Sequence, residues 1–268
     1  MKKSIGTRKN FTTLTQEECG SVYRIILDNS IQRWKSAEHL AKKGDFGGAM
    51  SFVIVSTEEL IKAFVIFLDS KGFRFRQVNG IWRLFKDHEI RLFIAYAMYN
   101  VPIYFEVIQD AIKELQKLKI EIVLPDIEAG TDLKINIGGL PVNKDRIADY
   151  FRNKRDVIRQ EGDWFSEMES LRQKGFYCDY DEELLSPIHV DKKAYTEVRD
   201  KLARVNEVAM VLMNEINSQN PEVREVTEKL MSDFEEKDSY KRIENDLKEI
   251  KNKDIFKVID EKLKQWNI

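Results

Sequence analysis

From Ala49 to Phe67 the chain is apolar almost throughout, yet its middle reads Ser56-Thr57-Glu58-Glu59-Leu60-Ile61-Lys62. Met50, Phe52, Val53, Ile54 and Val55 precede this run, and Ala63, Phe64, Val65, Ile66 and Phe67 follow it. A helix of this composition belongs in a protein interior, where charges are rare unless they are paired or used. The run is therefore either a polar cluster that fixes helix packing or part of a working site. Glycine (12) and proline (5) are too few in 268 residues to punctuate many short strands, so long helices are expected around this one.

The helices can be placed by their ends. Thr15-Gln16-Glu17-Glu18 has the spacing of a capping box. Tyr23, Leu27, Ser30, Trp34, Ala37 and Ala41 then recur at steps of four and three, one face of an amphipathic helix. Lys42-Lys43-Gly44 suits a helix C-terminus, and Asp45 can cap a second helix running to Lys71-Gly72. The two make an antiparallel hairpin with a very short turn. After a connector over 73–80, a third helix is predicted from Ile81 to Tyr99. Pro102 breaks it, and a fourth helix runs on to Lys119.

Between 120 and 143 the pattern changes. Ile120, Ile122 and Leu124, then Leu133, Ile135 and Ile137, alternate with polar residues among Pro125, Gly130, Gly138, Gly139 and Pro141. That is the pattern of a small hairpin. Asp145 to Lys174 reads as helix, Gly175 to Tyr180 as an aromatic loop, and Asp191 to Asn217 as a long helix. Beyond Asn220-Pro221 the chain is highly charged and reads as amphipathic helices. The expected layout is a flexible lead-in over 1–14 and a mainly α-helical domain over 15–217 with an irregular or β-hairpin insertion at 120–143. A C-terminal helical extension over 218–268 packs on that core.

Charge and rare residues narrow the function. A net charge of −2 excludes a broadly polyanion-binding surface and leaves room only for a local nucleic-acid patch. Cys19 and Cys178 are too few for a disulfide framework or a zinc module and suit a reducing compartment. The first residues are basic but lack the apolar stretch of a signal peptide. The longest apolar stretch, Ile90 to Ile108, is interrupted by Arg91, Asn100, Pro102 and Glu106. A cytoplasmic protein without membrane contact is expected. Neither a phosphate-binding glycine loop nor a dinucleotide fingerprint is present. Glu-x-x-His and His-Glu-x-x-His are missing too, and His39, His88 and His189 are scattered, so neither a metal nor another cofactor is expected.

Two stretches could carry chemistry. Glu58 and Lys62 are four apart and Glu59 and Lys62 three apart, the spacing of intrahelical salt bridges. The same residues could instead orient a histidine or arginine, with Lys62 facing a phosphate. The second stretch is Arg83-Leu84-Phe85-Lys86-Asp87-His88-Glu89-Ile90-Arg91. A histidine can take a proton from a ribose hydroxyl near neutral pH, and an arginine can grip a phosphate with two hydrogen bonds. Together they suffice for RNA cleavage by the 2′-hydroxyl. Arg91 follows His88 by three residues, on a neighbouring part of one helix face. Arg83 lies five residues before it, about 140° round a regular helix. Arg83 meets His88 only if the helix starts later or a second subunit supplies one of the pair. Arg83, Asp87 and Arg91 could equally form a surface ladder at spacing four. Arg152-Asn153-Lys154-Arg155, with Arg159, is a basic helix patch that suits RNA phosphates or a solvated face.

The order of these features resembles the AbiV-type abortive infection proteins of the HEPN superfamily. The matching pieces are Ala37 to Gly44, Asp45-Phe46-Gly47-Gly48-Ala49, Ser56 to Lys62, Phe85 to Arg91, and Lys174-Gly175-Phe176-Tyr177-Cys178-Asp179 with Pro187. They span residues 20–215. The resemblance implies a HEPN-like antiparallel helical bundle, a homodimer, and defence against phage. It also implies RNA as target (tRNA, rRNA or mRNA), since many HEPN proteins are metal-independent endoribonucleases. Their signature, an arginine followed after four to six residues by a histidine, is met by Arg83 with His88 and by Arg33 with His39. It normally lies on a late helix, and Arg152-Asn153 has no histidine at that distance.

On this resemblance His88 is expected as general base or acid, with Arg83 or Arg91 stabilising the phosphorane and Glu59 orienting the histidine or arginine. Lys62, Arg152, Lys174 and Tyr177 are expected to touch RNA, while Glu58 and Asp179 form a structural polar cluster. The resulting expectation is a toxin-like endoribonuclease that shuts down translation on infection, with a phage-encoded activator as a further partner. The alternative is a non-catalytic sensor or adaptor that binds a phage protein or a ribosomal or RNA component.

Overall fold

The computed structural model describes residues 10–77, 81–117, 120–123, 134–137, 160–177, 179–181 and 183–218, with isolated positions from 220 to 232. The chain divides into two compact units: Met1–Tyr99 with Gly162–Ile259, and Asn100–Glu161 with Asp260–Ile268. The expected C-terminal helices and the 145–159 stretch lie outside the described residues.

In the first unit, α1 (Gln16–Lys42) starts on the predicted capping box. Glu18 N donates to Thr15 Oγ1 at 3.1 Å, and Thr15 N donates to Glu18 Oε2 at 2.8 Å. Gly44, at φ +83°, makes the left-handed turn after it. Asp45 then caps α2 (Phe46–Ser70), accepting from Gly48 N at 2.9 Å. Seventeen of the 25 residues of α2 are buried, so it is the central helix, covered by α1, α4 (Met168–Phe176) and α5 (Lys192–Asn217). The long apolar run of the sequence is satisfied by packing on several sides at once.

Small residues set the helix approaches. Ser30 Oγ donates to the Ser56 carbonyl and Ser56 Oγ to the Ser30 carbonyl, both at 2.8 Å, so two buried hydroxyls lock α1 to α2. At the start of α2, Ser51 Oγ donates to the Arg172 carbonyl of α4 at 2.7 Å. A methyl group on Gly175 would overlap Ser51 Oγ and the Gly47 carbonyl, which shows how closely α4 lies on α2. At the far end of α2, Tyr23, Ile26, Ile66, Phe67 and Met213 form an apolar cluster, with Tyr23 edge-on to Phe67 at 5.2 Å.

Residues 10–14, assigned by sequence to a flexible lead-in, are tied down. Asn10 caps a short 3-10 turn at Phe11–Thr13, Arg76 Nη1 donates to the Phe11 carbonyl at 2.6 Å, and the Phe11 ring stacks on Phe85 at 4.8 Å. Arg76 also pairs with the buried Asp69. Burial pushes that carboxyl up, against the opposing pull of Arg76.

The third helix differs from expectation. Residues Ile81–Phe85 form a 3-10 turn, and α3 runs unbroken from His88 to Lys117 with Pro102 inside it. Asp87 resets the start by accepting from Glu89 N at 3.1 Å, the work of an N-cap side chain. Pro102 deprives α3 of one backbone donor and does not end it. Among the described residues no helix is long and apolar enough to cross a membrane.

The second unit contains the continuation of α3 from Asn100 and the predicted hairpin. Strand β1 (Ile120–Val123) pairs antiparallel with β2 (Lys134–Ile137), placing Ile120 opposite Ile137 and Ile122 opposite Ile135. A second small hairpin, β3 (Asp179–Asp181) with β4 (Glu183–Leu185), belongs to the first unit. It takes up part of the stretch read as an aromatic loop.

Candidate functional site

Three helices of the first unit bring five charged side chains together. Glu58 comes from the middle of α2, His88 and Arg91 from the first turn of α3, and Glu169 and Arg172 from α4. Glu58 is 3% exposed and Arg91 3% exposed, so neither charge is hydrated in the usual way. They answer one another. Arg91 Nη2 and Nε donate to Glu58 Oε2 at 2.9 and 3.2 Å, and Arg91 Nη1 donates to the Leu84 carbonyl at 2.8 Å. The second carboxylate oxygen, Glu58 Oε1, has no hydrogen-bond partner among the described residues and lies 4.0 Å from Arg172 Nε.

His88 Nδ1 lies 2.7 Å from Glu58 Oε2 and 2.8 Å from Arg91 Nη2. A carboxylate oxygen at that separation requires a proton between the two atoms, so Nδ1–H donates to Glu58. The ring is thereby fixed, and Nε2 is the nitrogen left for another partner in the groove that His88 lines. His88 keeps 39% of its side chain exposed there. The groove, about 540 Å³, is lined by Trp82, Arg83, Lys86, Asp87, Glu89 and Glu169 as well as His88. Trp82 is half exposed, with Lys86 Nζ over its ring at 5.3 Å.

Glu169 closes one side. Arg172 grips it with a fork, Nε to Oε2 at 2.9 Å and Nη2 to Oε1 at 2.6 Å, and Gln173 Nε2 donates at 2.9 Å. Burial alone would push the Glu169 carboxyl up. The Arg172 and Gln173 hydrogen bonds and the charges of Arg172 and His88 outweigh it and hold the group below the usual carboxylate range. Glu169 in turn holds the Arg172 guanidinium above its ordinary value. Glu169 Oε2 is 4.0 Å from His88 Nδ1.

Glu58, His88 and Glu169 lie close enough to offer three ligand atoms to a cation. Their chemistry does not favour one. Glu58 Oε2 already receives Arg91 and His88, both Glu169 oxygens are in the Arg172 fork, and Nδ1 carries the proton that meets Glu58. A cation placed among them would sit beside two guanidiniums.

The other residues singled out by sequence are distributed as follows. Glu59 and Lys62 pair with each other on α2, and among the described residues no hydrogen bond joins either to His88. It is the neighbouring Glu58 that faces the histidine. Arg83, in the 3-10 turn before α3, pairs with Asp87 at 2.8 Å and lines the groove with His88. Arg33 lies on α1 with its guanidinium 5.6 Å from the Phe52 ring, and His39 is exposed further along that helix. Lys174 and Tyr177 are exposed at the end of α4. Arg152 and the side chain of Asp179 lie outside the described residues. Glu169 and Arg172 were not anticipated: an acid and a base three apart on a helix look in sequence like an ordinary surface pair.

No curated protein and no solved structure matches the chain. A family does: the HEPN-type AbiV family model matches residues 18–206, a stretch that takes in α1, α2, the polar cluster, α4 and the greater part of α5. The chain therefore belongs to the AbiV family of HEPN proteins.

Proposed function

We propose that this protein defends against phage as a metal-independent endoribonuclease, and that His88 is its general base. Membership of the AbiV family supports the defence reading. The observation that carries the enzymatic reading is the buried Glu58 carboxylate 2.7 Å from Nδ1 of a histidine, His88, that lines an open groove. In the reaction, Nε2 takes the proton of a ribose 2′-hydroxyl. The freed oxygen attacks the adjacent phosphorus, and the P–O5′ bond breaks as the 5′-oxygen leaves and takes up a proton from water. The products are a 2′,3′-cyclic phosphate and a 5′-hydroxyl. Glu58 orients the imidazole and stabilises it once protonated, and Arg91 holds Glu58 in place; both are positioning residues. Arg83 is the guanidinium on the groove wall suited to the phosphorane charge. Lys62, Lys174 and Tyr177 are outlying RNA contacts in this reading, which also includes a homodimer and a phage-encoded activator.

The test uses total RNA and the full chain in EDTA, alone and with extract of phage-infected cells. Fragments ending in 2′,3′-cyclic phosphate are expected from wild type and not from His88→Ala of unchanged circular dichroism. Cleavage by His88→Ala as fast as wild type would overturn the assignment. One observation favours a second reading, an adaptor that binds protein: the groove sets Arg83 and Lys86 against Asp87, Glu89 and Glu169, a modest surface for a polyanion. That reading predicts no fragments under either condition.

A further inference from the structure

We infer that Arg172 is a phosphate-binding arginine of this site and that the Glu169 carboxylate occupies the phosphate position in the resting protein. The inference rests on the ribonuclease reading for the identity of its ligand, a phosphodiester, and on geometry for the position.

Of the arginines around His88, Arg91 cannot serve a substrate. It is 3% exposed, its Nε and Nη2 donate to Glu58, and its Nη1 donates to the Leu84 carbonyl. Arg172 is different. Its Nε and Nη2 form a fork, the geometry that matches two oxygens of a carboxylate or a phosphate equally well. The group in that fork belongs to Glu169, which lines the groove and places Oε2 4.0 Å from His88 Nδ1. An anion there lies in the guanidinium fork and beside the imidazole ring. Those are the two groups a transition state on phosphorus requires.

A second observation shows that Arg172 is not left without a counter-charge when Glu169 leaves. Glu58 Oε1 is buried, has no hydrogen-bond partner among the described residues, and lies 4.0 Å from Arg172 Nε. A buried acceptor left unpaired is costly. When Glu169 swings out, Arg172 keeps a counter-charge in Glu58 and presents its remaining donors to the incoming phosphate. Glu169 is 27% exposed in its side chain and has the freedom of a groove edge. Its departure also removes one of the three acids that face a substrate in the groove. The resting site is thus occupied by its own competitor.

The test measures affinity of the full chain for two probes: a fluorescent 2′-O-methyl hexanucleotide, which cannot be cleaved, and inorganic pyrophosphate. Glu169→Gln is expected to tighten both by about tenfold at low salt. Arg172→Ala is expected to weaken them by at least that factor, and Arg172→Lys to recover only part, because an ammonium has no fork. The double variant should behave as Arg172→Ala. Unchanged or weaker binding by Glu169→Gln overturns the inference, and does so even if Arg172→Ala fails to fold. Oligonucleotide binding that ignores both residues leaves the ribonuclease reading standing and refutes this one. Pyrophosphate binding that follows both residues, with no oligonucleotide binding, keeps the anion site and refutes RNA as its ligand.

Discussion

Replacing Arg91 by methionine tests the polar cluster directly. The substitution keeps an unbranched apolar stem and removes a guanidinium that is 3% exposed. It deletes hydrogen bonds to Glu58 Oε2 at 2.9 and 3.2 Å and to the Leu84 carbonyl at 2.8 Å. What remains is a carboxylate as buried as its lost partner, with His88 as its one hydrogen-bond donor among the described residues. Breaking a buried ion pair from one side costs about 3–5 kcal/mol, because an uncompensated charge is left behind. In a chain of this size each kcal/mol lowers Tm by about 2–4 °C, so a fall of roughly 6–20 °C is expected. Urea titration followed by far-UV circular dichroism gives the free energy, and a thermal scan gives the shift. The companion variant Glu58→Leu/Arg91→Met removes both charges and should be closer to wild type than Arg91→Met alone. If Arg91→Met lies within about 1 kcal/mol of wild type, or if the two changes simply add, the pair is not acting as a buried unit and the reasoning fails.

Two further outcomes follow from the packing and the charges. Gly175→Ala should lose about 1–3 kcal/mol by urea midpoint, since the new methyl meets a backbone carbonyl at Gly47 as well as Ser51 Oγ; adding Ser51→Gly should restore only part. Glu169 has its folded pKa below its unfolded value, so it contributes stability that is complete above the ordinary carboxylate value of 4.5 and lost as pH falls through the lower folded value. Stability measured against pH should therefore show a shallower acid limb in Glu169→Gln than in wild type, and an unchanged limb would refute the Arg172 fork as its cause.

Much of the scaffold was legible because its signals are local. The capping box at Thr15–Glu18, the Gly44-Asp45 turn and the alternating isoleucines of β1 and β2 each act within a few residues. The start of α3 differs from the periodicity for a local reason: Asp87 followed by His88-Glu89 is an N-cap, and it outweighs the apolar spacing that begins at Ile81. Pro102 does not end α3, since one missing donor does not stop a helix held elsewhere along its length.

The site was half legible, and the missing half has a physical cause. The sequence alone determined that a central apolar helix would carry acids, that a histidine and arginines would follow within one short stretch, and that the whole would be a helical bundle. Which acid meets the histidine was beyond it. Glu58 and Glu59 are neighbours whose side chains diverge by about 100° around α2, so the choice depends on the side from which α3 approaches. Glu169 and Arg172 are more than a hundred residues from Glu58 in the chain. They join it because Gly175 and Gly47 let α4 lie close on α2. Periodicity reports which faces are apolar, and only tertiary packing decides which polar groups those faces enclose together.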